Sequence, residues 1–415
     1  MPNFNLDYKK IILGLGLLLA AGLIGFSIYW VFFRTAPPPA GEPATNTNTN
    51  TGLTGQLPTA EPSTGQPSYP LGPESPGQAG LPISETAKGG ITYTAPLTKE
   101  SSQFVTWLGG TPPAGGLTYY QPKTNQFYRL TADGQSQLLT DKKFYNVSNV
   151  VWAPNQDKAI LEYPDGSKTV YDFNTGQQVS LPKHWQDFDF SGGGDQIVAK
   201  SLGLDPENRW LIVSNADGSQ AKKIEPLGEN EDIVTVGWSP NNQVIATYVK
   251  GIDFDRQDLF FVGLNNENFK KTTIEGRGFQ GLWSSQGDRM LYSVYNSNNG
   301  LRPELWVVDA QGDSIGNNRR RLQIQTWADK CVFAGNTTLY CGVPESLEEG
   351  SGLFPQLANS TTDRLYRIDL KTNSQEMIAQ PNGDYAIDKL LIAPDQSALY
   401  FTDAKTGQIF KVRLK

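Results

Sequence analysis

The feature that most constrains the fold is an element repeated throughout the C-terminal part of the chain. Each copy has an aromatic or aliphatic residue, a small residue and a polar turn, followed by a short apolar strand. Short alternating segments bounded by Gly, Asn and Asp turns are typical of β-structure. The copies begin with Trp152-Ala-Pro-Asn, Phe190-Ser-Gly-Gly, Trp238-Ser-Pro-Asn, Trp283-Ser-Ser-Gln, Phe333-Ala-Gly-Asn and Ile392-Ala-Pro-Asp.

A further strand-like segment follows each copy, and an earlier segment gives a seventh. Turn glycines Gly134, Gly176 and Gly218 recur every 42 residues, and a unit of about 40–50 residues with four short strands is typical of a propeller blade. The segments are Phe127-Tyr-Arg-Leu, Thr169-Val-Tyr-Asp-Phe, Trp210-Leu-Ile-Val-Ser, Leu259-Phe-Phe-Val, Leu305-Trp-Val-Val-Asp, Leu365-Tyr-Arg-Ile-Asp and Ile409-Phe-Lys-Val-Arg.

These repeats predict an all-β fold, a seven-bladed β-propeller in which each segment above is the third strand of a blade. Six blades are the alternative if the unit at 116–141 is only partial, and a pair of β-sandwiches is the other alternative. The last unit stops on its third strand, so an N-terminal segment is needed to close the ring. We expect Ile91-Thr-Tyr-Thr or Phe104-Val-Thr-Trp to supply it.

The Trp-Ser-Pro-Asn motif at Trp238 and its flanks resemble the TolB-like, WD-repeat-like propeller family. The resemblance covers roughly residues 100–415, and Phe190-Ser-Gly-Gly and Phe333-Ala-Gly-Asn depart furthest from the family's Trp-Ser-Pro-Asp-Gly pattern. It implies a propeller whose faces contact proteins or ligands, and it specifies no partner.

Residues 11–33 form an uncharged apolar run of 23 residues. As a helix, this run would span a hydrocarbon core of about 30 Å, and it is longer than the apolar region of a cleaved signal peptide. Lys9 and Lys10 precede it, whereas only Arg34 follows closely. We therefore expect a cytoplasmic tail at 1–10, an uncleaved single-pass anchor at 11–33 and the remainder outside the cytoplasm. A cleaved signal peptide is the alternative.

Residues 34–90 are rich in Pro, Gly, Thr, Asn and Ser, and they contain too few large apolar residues to build a core. We expect a disordered spacer with a root-mean-square reach of about 40 Å. It would hold a propeller domain at 91–415 away from the bilayer. This arrangement suits a protein of the cell envelope.

The net charge of −7 gives no basic face for nucleic acid, and the single histidine, His184, excludes a multi-histidine metal site. The chain contains no Gly-x-Ser-x-Gly elbow, P-loop or His-Glu-x-x-His motif. His184 lies near Asp187 in sequence, but no nucleophile accompanies it. The sequence therefore favours a protein that is not an enzyme and has no small-molecule substrate.

Cys331 and Cys341 are equidistant from Asn336, the centre of a predicted hairpin turn. Directly opposed residues on adjacent strands lie within disulfide range, so we predict a cross-strand disulfide. Two buried thiols are the alternative.

Four connections between the second and third strands are long, and in a propeller such loops emerge on one face. They are 201–209, 250–258, 296–304 and 342–364, and we predict the binding site on them. Solvated loops without a ligand are the alternative. The candidate residues are Asp205, Glu207, Arg209, Asp253, Asp255, Arg256, Arg302, Glu345 and Phe354.

Asp253, Asp255 and Asp258 are a candidate calcium site, because Ca²⁺ prefers oxygen ligands. No complete calcium-binding loop surrounds them. We therefore expect the protein to have no cofactor, and calcium is the alternative.

The sequence as a whole predicts a membrane-tethered scaffold that binds a protein partner in the cell envelope. A propeller that binds carbohydrate or cell wall is one alternative, and it would need exposed aromatic residues at equivalent positions. A hydrolase or lyase is the other, and it would need acid and base groups that converge in the central channel.

Overall fold

The computed structural model describes Leu23, Phe26 and residues 82–108, 116–131, 134–154 and 158–415. The chain divides into two units, Met1–Ser75 and Pro76–Lys415, and every strand below belongs to the second. Among the described residues, no helix has the length and apolar character needed to cross a membrane. The predicted anchor at 11–33 lies outside these residues except for Leu23 and Phe26, as do residues 34–81 of the predicted spacer.

The second unit is an all-β, seven-bladed propeller. Every predicted third strand is the third strand of a blade, so the seven-blade prediction is confirmed, and the six-blade and sandwich alternatives are wrong. Blade 1 is β3 (Gln103–Leu108), β4 (Gly116–Gln121), β5 (Gln126–Leu130) and β6 (Ser136–Leu138), and blade 2 is β7 (Asn149–Trp152), β8 (Lys158–Glu162), β9 (Lys168–Asp172) and β10 (Gln178–Leu181). Blade 3 is β11 (Trp185–Phe190), β12 (Gln196–Leu202), β13 (Arg209–Asn215) and β14 (Lys222–Pro226), and blade 4 is β15 (Val234–Val236), β16 (Val244–Gly251), β17 (Arg256–Gly263) and β18 (Thr272–Glu275).

The remaining blades follow the same order, and two short N-terminal strands join them. Blade 5 is β19 (Arg277–Trp283), β20 (Arg289–Tyr295), β21 (Pro303–Asp309) and β22 (Arg320–Arg321). Blade 6 is β23 (Cys331–Phe333), β24 (Thr338–Pro344), β25 (Asp363–Asp369) and β26 (Ser374–Pro381), with β1 (Ile91–Thr92) added parallel to β26. Blade 7 is β27 (Ile387–Ile392), β28 (Ala398–Asp403), β29 (Ile409–Arg413) and β2 (Thr94–Pro96).

Short 3₁₀ helices lie in the connections between these strands. In the part of the chain that the structure describes, they are Pro206–Asn208, Glu231–Ile233, Ser297–Asn299, Gly312–Ser314, Ala328–Lys330 and Pro355–Ser360.

The core consists of seven apolar clusters, one between each pair of neighbouring blades. Strand β8 shows why the alternating pattern builds them. Its side chains point to opposite faces in turn, so Ala159 and Leu161 pack toward blade 1 while Ile160 packs toward blade 3. A single blade would expose both apolar faces to water. Packing between two neighbours buries both of them.

The ring closes through the N-terminal strands. Strand β2 pairs antiparallel with β29 and provides the fourth strand of blade 7. Thr94, the last residue of the predicted closing segment, begins this strand, whereas Phe104 belongs to β3 in blade 1 and takes no part in the closure. The amides of Ala87 and Gly89 also donate hydrogen bonds to the carbonyls of Arg413 and Ile378, at 2.8 and 2.7 Å.

A half-buried acid connects blades 3 and 4. The carboxylate of Asp189 on β11 accepts hydrogen bonds from the backbone amides of Phe190, at 2.9 Å, and Trp238, at 2.7 Å. Burial raises the pKa of Asp189 to about 6, although these hydrogen bonds favour the charged form. The side chain therefore fixes the backbone of the Trp238 anchor to the preceding blade.

We predict that deleting residues 1–97 destabilises the propeller, whereas deleting residues 1–81 does not. The larger deletion removes β1 and β2 and leaves the edge of β29 unpaired, which should cost about 3 kcal/mol or more at roughly 1 kcal/mol per lost hydrogen bond. Chemical denaturation would measure the free energy of unfolding, and size-exclusion chromatography would detect association through the open edge. Equal stability of the two truncated proteins would contradict the role assigned to the closure.

We predict that the stability difference between the wild type and the Asp189→Asn variant depends on pH. The folded-state pKa is raised, so the acid's stabilising contribution is full below pH about 4 and is lost as the pH rises through about 6. The variant cannot ionise and should gain at most about 3 kcal/mol relative to the wild type across this range. Urea unfolding at a series of pH values measures the difference, and a constant difference would refute the prediction.

Candidate binding face

Three of the four long loops are joined to one another by hydrogen bonds. Asp255 in loop 250–258 accepts a hydrogen bond from the backbone amide of Ser297, at 2.7 Å. Arg302 in loop 296–304 donates to the carbonyl of Leu347, at 2.9 Å, and the amide of Gly350 donates to the carbonyl of Gly300, at 2.8 Å. Loops of blades 4, 5 and 6 therefore form one continuous surface. We call the surface formed by 201–209, 250–258, 296–304 and 342–364 the loop face.

The fourth loop, in blade 3, is held by hydrogen bonds within the loop and by an ion pair with the connection between blades 3 and 4. The guanidinium of Arg209 donates to the carbonyl of Gly203, at 3.2 Å, and forms an ion pair with Glu231. Asp205 immediately precedes the helix Pro206–Asn208. This bracing leaves Leu204 at the tip of the loop with its side chain in solvent.

Large apolar side chains are exposed on the loop face. Leu204 is 96% exposed, Phe254 is 67% exposed and Phe354 is 51% exposed, and Ile252 and Leu353 are also exposed. Apolar groups that remain in water on an ordered surface are typical of an interaction site. Phe354 was a sequence-based candidate, whereas Leu204, Ile252, Phe254 and Leu353 were not. In the sequence, each of these four residues could have been recognised as a large apolar residue within an otherwise polar loop.

The loop face is acidic. Its four loops contain ten Asp and Glu residues against five Lys and Arg residues, and seven of the ten acids remain when the buried Asp258, Glu304 and Asp363 are set aside. The side-chain hydrogen bond from Arg256 lowers the pKa of Asp253, and the hydrogen bond from Lys271 lowers the pKa of Asp258. These carboxylates are therefore fully ionised at neutral pH, and the surface favours a partner with complementary positive charge.

A cavity of about 460 Å³ lies between the loops of blades 4 and 5. Phe254, Asp255 and Arg256 line one side, and Glu275 and Asn296 are among the residues that complete it. Its aromatic ring and carboxylates can receive a basic side chain, because a cation is attracted both to a ring face and to carboxylates.

Several predicted site residues are engaged by neighbours on the loop face. Asp253 pairs with Arg256 at 2.6 Å, and Glu345 pairs with Arg364 at 2.8 Å. The structure does not bring Asp205, Glu207 and Arg209 of blade 3 into hydrogen-bond contact with the other candidates in the part of the chain that it describes.

The three carboxylates of the predicted calcium site have separate partners. Asp253 pairs with Arg256, Asp255 accepts from Ser297, and Asp258 pairs with Lys271 at 2.6 Å. Within the described residues, no group of three or more His, Cys, Asp or Glu side chains has the arrangement to hold a metal ion. Calcium binding at this position stays a prediction.

Two other sequence motifs lie away from the loop face. Cys331 and Cys341 are opposite each other on β23 and β24 and form a disulfide, with a Cα–Cα separation of 4.1 Å. Asp187 forms an ion pair with Lys200 at 2.6 Å rather than with His184, whose side chain is exposed.

The innermost strands surround a central channel, which contains charged groups that the sequence did not single out. A cavity of about 890 Å³ is lined by residues of β15, β19, β23 and β27 and by Asp329. A second cavity of about 610 Å³ lies toward the connections 404–407 and 101–103. Asp388 and Lys389 line both cavities. The sequence could have indicated Asp388 and Lys389, because they are adjacent charged residues within the otherwise apolar strand Ile387–Ile392.

No protein-family model matches the sequence, and no curated protein is significantly similar to it. Among solved structures, the tricorn protease is similar with a TM-score of 0.50 and 11% identity over 77% of this chain, which corresponds to 33% of that chain. The Cps50 (Swd1) β-propeller domain of Myceliophteria thermophila has a TM-score of 0.49 and 10% identity, covering 77% of this chain and 98% of that one.

An oligogalacturonate lyase from Vibrio parahaemolyticus has a TM-score of 0.47 and 11% identity, covering 78% of this chain and 93% of that chain. The present chain spans about a third of the length of the tricorn protease structure. At 11% identity, the similarity to the tricorn protease shows the fold alone.

We predict that Gly352→Ala displaces loop 342–364. A Cβ atom at this position would lie 2.5 Å from Cβ of Tyr295 and 2.6 Å from the carbonyl oxygen of Leu301, so the loop has to move. The cost should be about 1–3 kcal/mol, and hydrogen exchange across 342–364 should become faster. Gly192→Ala is the matched control, because its Cβ would meet nothing closer than 3.7 Å. Unchanged exchange in the Gly352 variant would count against the packing described.

Proposed function

We propose that the propeller is a protein-binding module whose partner docks on the loop face. The observation that carries this proposal is the set of exposed apolar side chains on the four long loops. Hydrogen bonds join the loops of blades 4, 5 and 6 to one another, and the loop of blade 3 is fixed separately through Arg209. Leu204, Phe254 and Phe354 lie on three different blades, so one partner would have to cover a broad surface to bury all three. Rigid loops also lose little conformational entropy on binding.

The partner that suits this surface carries aliphatic and basic side chains. Aliphatic groups would bury Leu204, Ile252 and Phe354, and a lysine or arginine would enter the cavity beside Phe254 and Asp255. The acidic loops would steer such a partner toward the face, and this steering would weaken with ionic strength.

The same proposal places the propeller outside the cytoplasm, held by residues 11–33 and spaced from the bilayer by residues 34–81. The charge asymmetry around 11–33 supports the orientation. The disulfide between Cys331 and Cys341 also supports it, because disulfides persist in oxidising compartments. Within this proposal, the chain is a TolB-like propeller of the cell envelope that acts as a scaffold.

We predict that Phe254→Ser and Leu204→Ser each reduce capture of the partner about tenfold, whereas Val179→Ser does not. Each substitution removes an exposed apolar side chain, but Val179 lies on the outer strand of blade 2, away from the loop face. Loss of a central apolar contact costs about 1–2 kcal/mol, which corresponds to about tenfold in affinity. The measurement is quantitative mass spectrometry after crosslinking the full-length proteins in native membranes and isolating them.

The binding proposal holds if the same proteins are depleted by both loop-face variants and retained by the Val179 variant. Equal capture by all three variants would exclude the loop face. In that case, the isolated protein would next be tested against glycans and against hydrolase or lyase substrates.

A further inference from the structure

The central channel holds three charged side chains at the junction of blades 6 and 7. Asp329 precedes β23, while Asp388 and Lys389 lie next to each other on β27, and all three are exposed to the channel. Within the described part of the chain, neither Lys389 nor Asp329 takes part in an ion pair. The adjacent pair of Lys330 and Asp363, by contrast, is buried and closed at 2.7 Å.

An irregularity in strand β27 explains how neighbouring residues can both face the channel. In a regular strand, Asp388 and Lys389 would point to opposite faces. Ile387 pairs with Asp403 and Lys389 pairs with Thr402, so Asp388 is an extra residue without a partner in the ladder. Such bulges redirect side chains and are common next to functional sites.

The backbone around this bulge is fixed by buried acids. The amide of Ala386 donates to the carboxylate of Asp403 at 3.0 Å, and the amide of Ile387 donates to Asp363 at 2.5 Å. The amide of Lys389 donates to the hydroxyl of Thr402 at 3.2 Å, and this hydroxyl donates to the carboxylate of Asp388 at 3.4 Å. Asp388 and Lys389 are therefore presented to the channel by a braced strand end, which favours a preorganised site.

Desolvation by the surrounding protein acts against the charges in the channel. It lowers the pKa of Lys389, although Asp388 favours the ammonium form, and it raises the pKa of Asp329, to which the charge of Asp388 also contributes. A ligand that brings a carboxylate to Lys389 and an ammonium to the two aspartates would offset this cost, because an opposite charge nearby favours the charged form of each group.

The lining of the cavity also includes apolar side chains. Phe279, Leu282, Trp283, Phe333 and Leu391 line it, and Thr235 and Gln280 add hydrogen-bonding groups. Small-molecule sites commonly combine such side chains with a few converging polar groups.

We propose that this junction is a binding site for an α-amino acid with an apolar side chain. An α-amino acid carries its ammonium and carboxylate on one carbon atom, which suits Lys389 beside Asp388, and its side chain would lie against Trp283 and its neighbours. The cavity of about 890 Å³ has ample room for such a ligand. The lining of this cavity includes no residue of the loop face. The site differs from the expectation of a chain without a small-molecule ligand.

The test is isothermal titration of the full-length protein with L-leucine, N-acetyl-L-leucine and L-leucinamide. N-acetylation removes the ammonium, and the amide removes the carboxylate, so each analogue should bind about tenfold more weakly than leucine. Trp283 offers a second readout, because its fluorescence should change as leucine binds. Absence of leucine binding, or equal binding of all three compounds, overturns the proposal.

The Lys389→Met variant distinguishes recognition from a structural role. It should lose most of the preference for leucine over leucinamide, because the partner of the carboxylate is gone, and Asp388→Asn should lose preference over N-acetyl-leucine. Lys371→Met is the control, since Lys371 is exposed in a turn of blade 6 outside the cavity. Full discrimination by the Lys389 variant would refute the assignment. Phe254→Ser should leave leucine binding intact, so the outcome is independent of the loop-face proposal.

Discussion

The antiparallel pairing of Thr94–Pro96 with Ile409–Arg413 is the contact on which the rest of the propeller depends. Each blade buries its two faces against its neighbours, so all seven apolar clusters are complete only when the ring is closed. The cluster at the seam joins Val105, Leu117 and Tyr119 of blade 1 to Ile409 of blade 7. The pairing provides few hydrogen bonds of its own, but it holds two large apolar surfaces in contact.

The closed ring explains how two proposed sites with different chemistry can coexist. In the innermost strand of blade 7, the irregularity at Asp388 lets two adjacent charged residues line the channel. The second-to-third connections are free of packing around the axis, so they can lengthen and expose groups such as Leu204 and Phe354. Disulfide-linked Cys331 and Cys341 sit at the start of blade 6, and Cys331 lines the larger channel cavity. Blade 6 thus contributes to the loop face, through loop 342–364, and to the channel cavity, through Cys331.

Periodicity made the blades predictable from the sequence. A third strand such as Leu365-Tyr-Arg-Ile-Asp reads as a strand because its alternation reflects burial against two neighbours. The innermost strands were harder to locate, because their bulges place Phe104 and Asp187 at positive φ and interrupt the alternation. Loop length predicted the position of the loop face. It could not indicate that Leu204 and Phe254 stay in water, because their exposure depends on how Arg209 and Asp255 fix the loops.

The same closure sets the order in which the chain can be completed during synthesis. Thr98, just after β2, and its hydrogen-bond partner Ile409 are separated by 311 residues. At ribosomal rates of about 5–20 residues per second, the N-terminal strand would wait roughly 15–60 s for its partner. Blades 1 to 5 have all their strands before then, because each is a contiguous segment. Blade 7 and its seam are the last to form, so the nascent protein has an open sheet edge that needs protection until Ile409–Arg413 emerge.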